Sequence, residues 1–116
     1  MVSTSAAYAH EWTPTYPKLS TSYVPNVLVL DMELFNSRKD IGHYEIEVLD
    51  KDFNPVPFAT ADKIIPIEYT ERKSIEIYIR KSDRSKATYV CSKSKIITSK
   101  SAVSLVASRI CSKIVG

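Results

Sequence analysis

The sequence predicts an all-β protein: one antiparallel β-sandwich of about seven strands, residues 23–116, preceded by an extended N-terminal arm, residues 1–22. Three observations point there. Apolar residues recur at every second position in three separate runs, which is the period of a half-buried strand. Clusters of Asp, Asn, Pro and Ser divide those runs at hairpin-like intervals. The chain has 116 residues, enough for one core and too few for a second.

The arm comes first. Pro14, Pro17 and Pro25 punctuate a segment rich in Ser, Thr and Tyr, and each proline forbids helix and favours extended backbone. Tyr8, Trp12, Tyr16 and Tyr23 recur along it, and aromatic side chains offer large contact area at low entropic cost. They are the expected protein-binding residues; equally, Trp12 and Tyr23 could cover the edge of their own sandwich.

Strand pattern begins at Val27. In VLVLDMELF, Leu28, Leu30, Met32 and Leu34 share one face and Asp31 and Glu33 the other. HYEIEVLD places Tyr44, Ile46 and Val48 against His43, Glu45 and Glu47, and SIEIYIR places Ile75, Ile77 and Ile79 against Ser74, Glu76 and Arg80. One wet face per strand is the mark of antiparallel sheets. DKDFNPVP reads as a turn, and Pro66 within KIIPIEY confines that run to an edge or bulge. ATYVCSKSKII is strand-like and TSKS a polar turn. The final run, SAVSLVASRICSKIV, carries a helical spacing of Val103, Val106, Ala107, Ile110 and Ile114, yet its Val, Ile and Ser content favours a strand.

Charge is polarised along the chain. Residues 1–50 hold three basic against seven acidic side chains, whereas residues 81–116 hold eight basic against Asp83 alone, within a net charge of +3. Lys93, Lys95, Lys100, Arg109 and Lys113 on the terminal hairpin are therefore candidates for binding nucleic acid or another polyanion. Singly spaced charges among Ser and Thr also suit an ordinary solvated face.

Catalytic and metal templates fail. The only glycines are Gly42 and Gly116, so no glycine-rich phosphate loop exists. Asp50, Asp52 and Asn54 have the spacing that opens a calcium loop, but Pro55 and Ala61 stand where the sharp turn and the bidentate carboxylate belong. His10 and His43 lie outside any zinc spacing, and no Ser elbow is present. No enzyme activity, metal or cofactor is expected. The N-terminus lacks a basic segment followed by an apolar run, and no stretch is long enough to span a membrane. A cytosolic chain follows as the expectation, with Cys91 and Cys111 as packed thiols, although a hairpin centred near Ser101 would set them opposite each other.

The stretch SIEIYIRKSDRSKATYVC resembles the E strand, E–F corner and F strand of the immunoglobulin-like and fibronectin type III-like superfold, with Ala87, Tyr89 and Cys91 in its Ala-x-Tyr-x-Cys register. The resemblance implies that Tyr89 is a corner tyrosine whose hydroxyl bonds the upstream backbone. Ser85 replaces the usual acidic residue, Val27–Phe35 has no cysteine to pair with Cys91, and the C-strand position has Tyr44 and no tryptophan. A signal-less sandwich with a Pro- and Tyr-bearing arm is similar in architecture to accessory structural proteins of bacteriophage virions. That likeness implies a non-enzymatic scaffolding protein, self-assembling or joined to other subunits in a virion through its arm. A soluble polyanion-binding module and a cell-surface adhesion module are the alternatives.

Overall fold

The protein is described by a computed structural model over residues 10–97 and 104–115. It is an immunoglobulin-like sandwich of two antiparallel sheets. In chain order the strands are β1 (Glu11–Thr13), β2 (Ser20–Thr21), β3 (Val27–Phe35), β4 (His43–Leu49), β5 (Ile64–Pro66), β6 (Arg72–Arg80), β7 (Tyr89–Ile97) and β8 (Ser104–Lys113), with a 3₁₀ turn at Lys81–Asp83.

The first sheet is built on β3, which pairs with β6 along its whole length and with both β1 and β2 along its other edge. The second runs β5-β4-β7-β8. Leu28, Leu30, Met32 and Leu34 of β3 and Ile75, Ile77 and Ile79 of β6 face Tyr44, Ile46 and Val48 of β4 across one core. These are the alternating positions expected from the sequence. The final segment is a strand over Ser104–Lys113, as its Val and Ile content favours. Pro66 sits on the short edge strand β5, where its missing N–H costs no ladder bond. Asp50 Oδ1 accepts from the backbone N–H groups of Asp52 and Asn54, both at 2.9 Å, so the calcium-like spacing closes a turn.

Residues 10–22, expected to belong to an extended arm, contribute two short strands to the sandwich itself. β1 and β2 pair with β3; between them the chain crosses to the second sheet, where Lys18 bridges Val115 in parallel and Lys113 N–H donates to the Thr15 carbonyl at 3.2 Å. Apolar burial explains the crossing, because Trp12 and Leu19 enter the core from this segment.

Two expectations about β7 are corrected. The resemblance implies a corner tyrosine at Tyr89; instead Tyr89 and Cys91 lie on the outer face with Glu47, while Val90, Ser92 and Ser94 face inward, opposite Val48, Ile46 and Tyr44. The Tyr89 ring stacks on Phe53 at 4.9 Å, and among the described residues its hydroxyl reaches no backbone group. Cys91 and Cys111 are not packed thiols but a disulfide. The β7–β8 hairpin sets them directly opposite each other with Cα atoms 4.0 Å apart, within bonding reach of their sulfurs.

Candidate functional site

Strand edges are where a sandwich can accept another chain, because they carry unpaired backbone N–H and C=O groups. Three edges here are blunted. β5 is three residues long and contains Pro66. The outer edge of β6 is bridged by Ala59, whose N–H and C=O both bond Tyr78, and the Thr60 hydroxyl donates to the Glu76 carbonyl at 2.8 Å. β1 and β2 are fragments of three and two residues.

β8 differs. It is ten residues long, and among the described residues no strand pairs with its outer edge between Ser104 and Ser112. Lys113 N–H points outward to Thr15 and Ile114 N–H inward to Thr88, so the alternation turns the backbone groups of Cys111 and Arg109 outward. The register then shifts: Lys93 opposes Arg109 but Lys95 opposes Val106, a bulge that sets Ala107 and Ser108 against Ser94. The disulfide ties this edge strand to the interior of its sheet.

The outer face beside the edge is a charged ladder. Lys93 pairs with Glu47 at 3.0 Å and Glu45 at 3.6 Å, Lys95 with Glu45 at 2.9 Å, and Arg109 with Glu47 at 3.3 Å. Burial alone would raise the Glu45 carboxyl; the Lys95 hydrogen bond and the charges of Lys93 and Lys95 outweigh it and hold the group below its ordinary range. Glu47 Oε1 faces Arg109 without a hydrogen bond, so that contact is an ion pair of charge alone. The polarity along the sequence thus becomes local pairing, as acidic β4 meets basic β7 and β8. Of the residues expected to bind a polyanion, Lys93, Lys95 and Arg109 are in this ladder, Lys113 is exposed at its end, and Lys100 lies outside the described residues.

The inner face beneath the ladder is polar and buried. His10 Nε2 lies 2.6 Å from the Ser92 hydroxyl and Nδ1 3.3 Å from that of Ser108, and Ser94 Oγ accepts from Ser108 N–H at 2.8 Å. The Tyr44 ring sits 4.4 Å from the imidazole; its hydroxyl donates to Asn36 Oδ1 at 2.8 Å, and Asn36 in turn donates to the Ile41 carbonyl at 2.7 Å. Burial pushes the Tyr44 phenol up to about 12 and His10 down to about 4. His10, Asn36, Ser92 and Ser94 are buried and hydrogen-bonded within the cluster, with Ser108 part-buried at its margin, so the cluster acts as a fastener for the N-terminal segment.

The aromatic residues expected to bind a partner separate. Trp12 is 4% exposed, with its indole N–H donating to the Val90 carbonyl at 3.1 Å. Tyr16 is 65% and Tyr23 89% exposed. Tyr8 lies outside the described residues. Sequence reasoning missed the His10 cluster, whose signal was the pair Ser92 and Ser94 at alternate positions of β7 with Ser108 and Ser112 in the strand that follows. Among the described residues no group of three or more His, Cys, Asp or Glu side chains is placed to hold a metal, and no helix is long and apolar enough to cross a membrane.

No family model and no curated protein matches the chain. Solved structures do. The Escherichia coli chaperone DraB superposes with a TM-score of 0.64 at 15% identity over 92% of this chain and 53% of its own. The periplasmic chaperone SfaE superposes with a TM-score of 0.52 at 11% identity over 91% of this chain and 56% of its own. The chain therefore spans about half the length of these chaperones, and the likeness is one of fold. Neither is a virion protein, and the virion likeness gains no support from them.

Proposed function

We propose that this chain is a non-enzymatic protein-binding module that takes an extended segment of another protein along the outer edge of β8. The observation that carries the proposal is the edge itself: a ten-residue strand with outward backbone groups at Arg109 and Cys111, stiffened by a disulfide, in a sandwich whose other edges are covered, short or interrupted. Strand addition draws its affinity from such main-chain bonds. The fold shared with two chaperones supports a protein as the partner. The disulfide supports an oxidising compartment such as the periplasm over the cytosol. Pairing of Lys93, Lys95 and Arg109 with Glu45 and Glu47 leaves less free positive charge for a polyanion.

A photo-crosslinking residue placed at Arg109, and separately at Ile64 on β5 as the control edge, tests this reading in cells. Protein adducts are expected from position 109, not from 64, and they should disappear in a Cys111→Pro, Cys91→Ala variant that has lost an outward N–H. A second variant with only the cysteines changed to Ala separates the proline from loss of the disulfide. Equal adducts from both edges, or nucleic acid recovered in a salt-sensitive manner, would overturn the proposal.

A further inference from the structure

One apolar surface lies away from β8, at the end of β6, the strand of the first sheet farthest from it. A groove of about 320 Å³ is lined by Val27, Pro57, Phe58, Ala59, Tyr78 and Arg80. It adjoins a second, lined by Pro25, Asn26, Val27, Arg80, Lys81 and Ser82, and the two share Val27 and Arg80. Tyr23 stands beside them at 89% exposure, the most exposed large apolar side chain among the described residues, and its hydroxyl lies close to that of Tyr78.

The walls are fixed in place before any ligand arrives. The Ser22 hydroxyl donates to the Val27 carbonyl at 2.6 Å and Lys81 N–H to the Asn26 carbonyl at 2.8 Å, which anchors the turn carrying Tyr23. Ala59 and Tyr78 exchange both backbone bonds, and Lys63 Nζ lies 5.0 Å over the Phe58 ring. An aromatic held open to water on a rigid turn, beside Pro, Phe and Arg, has the composition of an interface centre.

Charge selects the occupant. Among the described residues, Arg80 and Lys81 are the only charged side chains lining the two grooves, and both are basic. Lys63 adds a third cation at the Phe58 wall. Arg80 gives its Nε–H to buried Asp83 at 2.8 Å, so part of its charge is met from within, although its side chain stays 65% exposed; Lys81 has no ion pair among the described residues and carries the charge preference, and Glu76 accepts from the Tyr78 hydroxyl at 3.0 Å. We infer that this surface is a second protein-binding site, taking a segment of another protein in which apolar side chains alternate with Asp or Glu. The apolar side chains fill the groove over Val27, Phe58 and Tyr78, Tyr23 covers them, and the carboxylates meet Arg80 and Lys81.

The test is an amide NMR titration of the whole chain with two synthetic peptides, one alternating Glu with Leu and Trp, the other carrying Lys for each Glu. The acidic peptide is expected to shift the amides of Val27, Phe58, Ala59 and Tyr78. Tyr23→Ser, at a position that touches no core, is expected to weaken it by about tenfold, and Lys81→Glu by a similar factor. Circular dichroism melts of both variants confirm that they fold. Equal affinity for the lysine peptide, unchanged binding by Tyr23→Ser, or shifts confined to β8 would each overturn the inference, and the last would leave the β8 reading standing.

Discussion

His10 is the residue at which solution conditions act on this fold. Its imidazole is neutral in the folded state because burial holds its pKa near 4, against 6.5 when unfolded, with the nearby Arg38 charge acting in the same direction and the Ser92 bond opposing them. A depressed folded pKa means that the unfolded chain binds the extra proton between those values. Stability is therefore complete above pH 6.5 and falls as pH drops toward 4, by as much as about 3 kcal/mol. Thermal melts across that interval should show the decline, and His10→Gln should flatten it; a His10→Gln profile as steep as wild type would assign the decline elsewhere. Trp12 is the other anchor of the N-terminal segment. Trp12→Ala should cost about 3–5 kcal/mol in urea unfolding, and Trp12→Phe, which keeps most of the bulk but loses the bond to Val90, about 1 kcal/mol. The role of His10 was not legible, and that of Trp12 stood only as one of two equal readings, covering its own sandwich or docking on a partner. His10 and Trp12 sit in a Pro-rich stretch without period-two apolar pattern, and their partners, Ser92, Ser108 and Val90, are about eighty or more residues away along the chain.

At the scale of the element, β3, β4 and β6 were legible because each has one apolar and one charged face. β7 misled for the opposite reason. Its inner face carries Ser92 and Ser94, which burial tolerates only because His10 and Ser108 bond the cluster, so the strand reads as polar where it is buried. Its outer face carries Cys91, made unreactive by the bond to Cys111. The sequence placed the two cysteines opposite each other but left their bonding to the compartment. The cross-link closes a loop of about twenty residues, which corresponds to about 3 kcal/mol of stabilisation in the chain-entropy account. Dithiothreitol, or the Cys91→Ala, Cys111→Ala variant, should lower the urea midpoint accordingly. The charged ladder should matter less. Glu45→Gln removes a partner from Lys93 and Lys95 at partly exposed positions and should cost about 1 kcal/mol or less, an effect that shrinks as salt is added.

For the molecule as a whole, two apolar sheet faces and the turns between them determined the sandwich, while the destination of residues 10–22 was decided by distant contacts. Deleting residues 2–22 removes Trp12 and Leu19 from the core and strips β3 of the strands on one edge. A fall of many degrees in melting temperature is expected, and a nearly unchanged transition would show that this segment serves assembly instead. Functional surfaces were less legible than architecture. Tyr23 stood out among the aromatics of the N-terminal arm, but of the residues the fold brings to its side, Phe58 follows the DKDFNPVP turn in a stretch given no role and Tyr78 lies in a run read only as strand.

The lacing of residues 15–19 to Val115 and Lys113 has a consequence for how the protein is made. A ribosome delivers the first of these partners long before the last. Until residues 89–115 emerge, the indole of Trp12 has no Val90 to bond, His10 has no serines around it, and the crossing strand has nothing to cross to. The nascent chain must carry residues 10–19 unsatisfied until residues 89–115 have been made, and only then can the clasp shut. Folding of the sandwich is thereby tied to synthesis of β7 and β8, and contacts this distant make that last step slow compared with the hairpins that precede it.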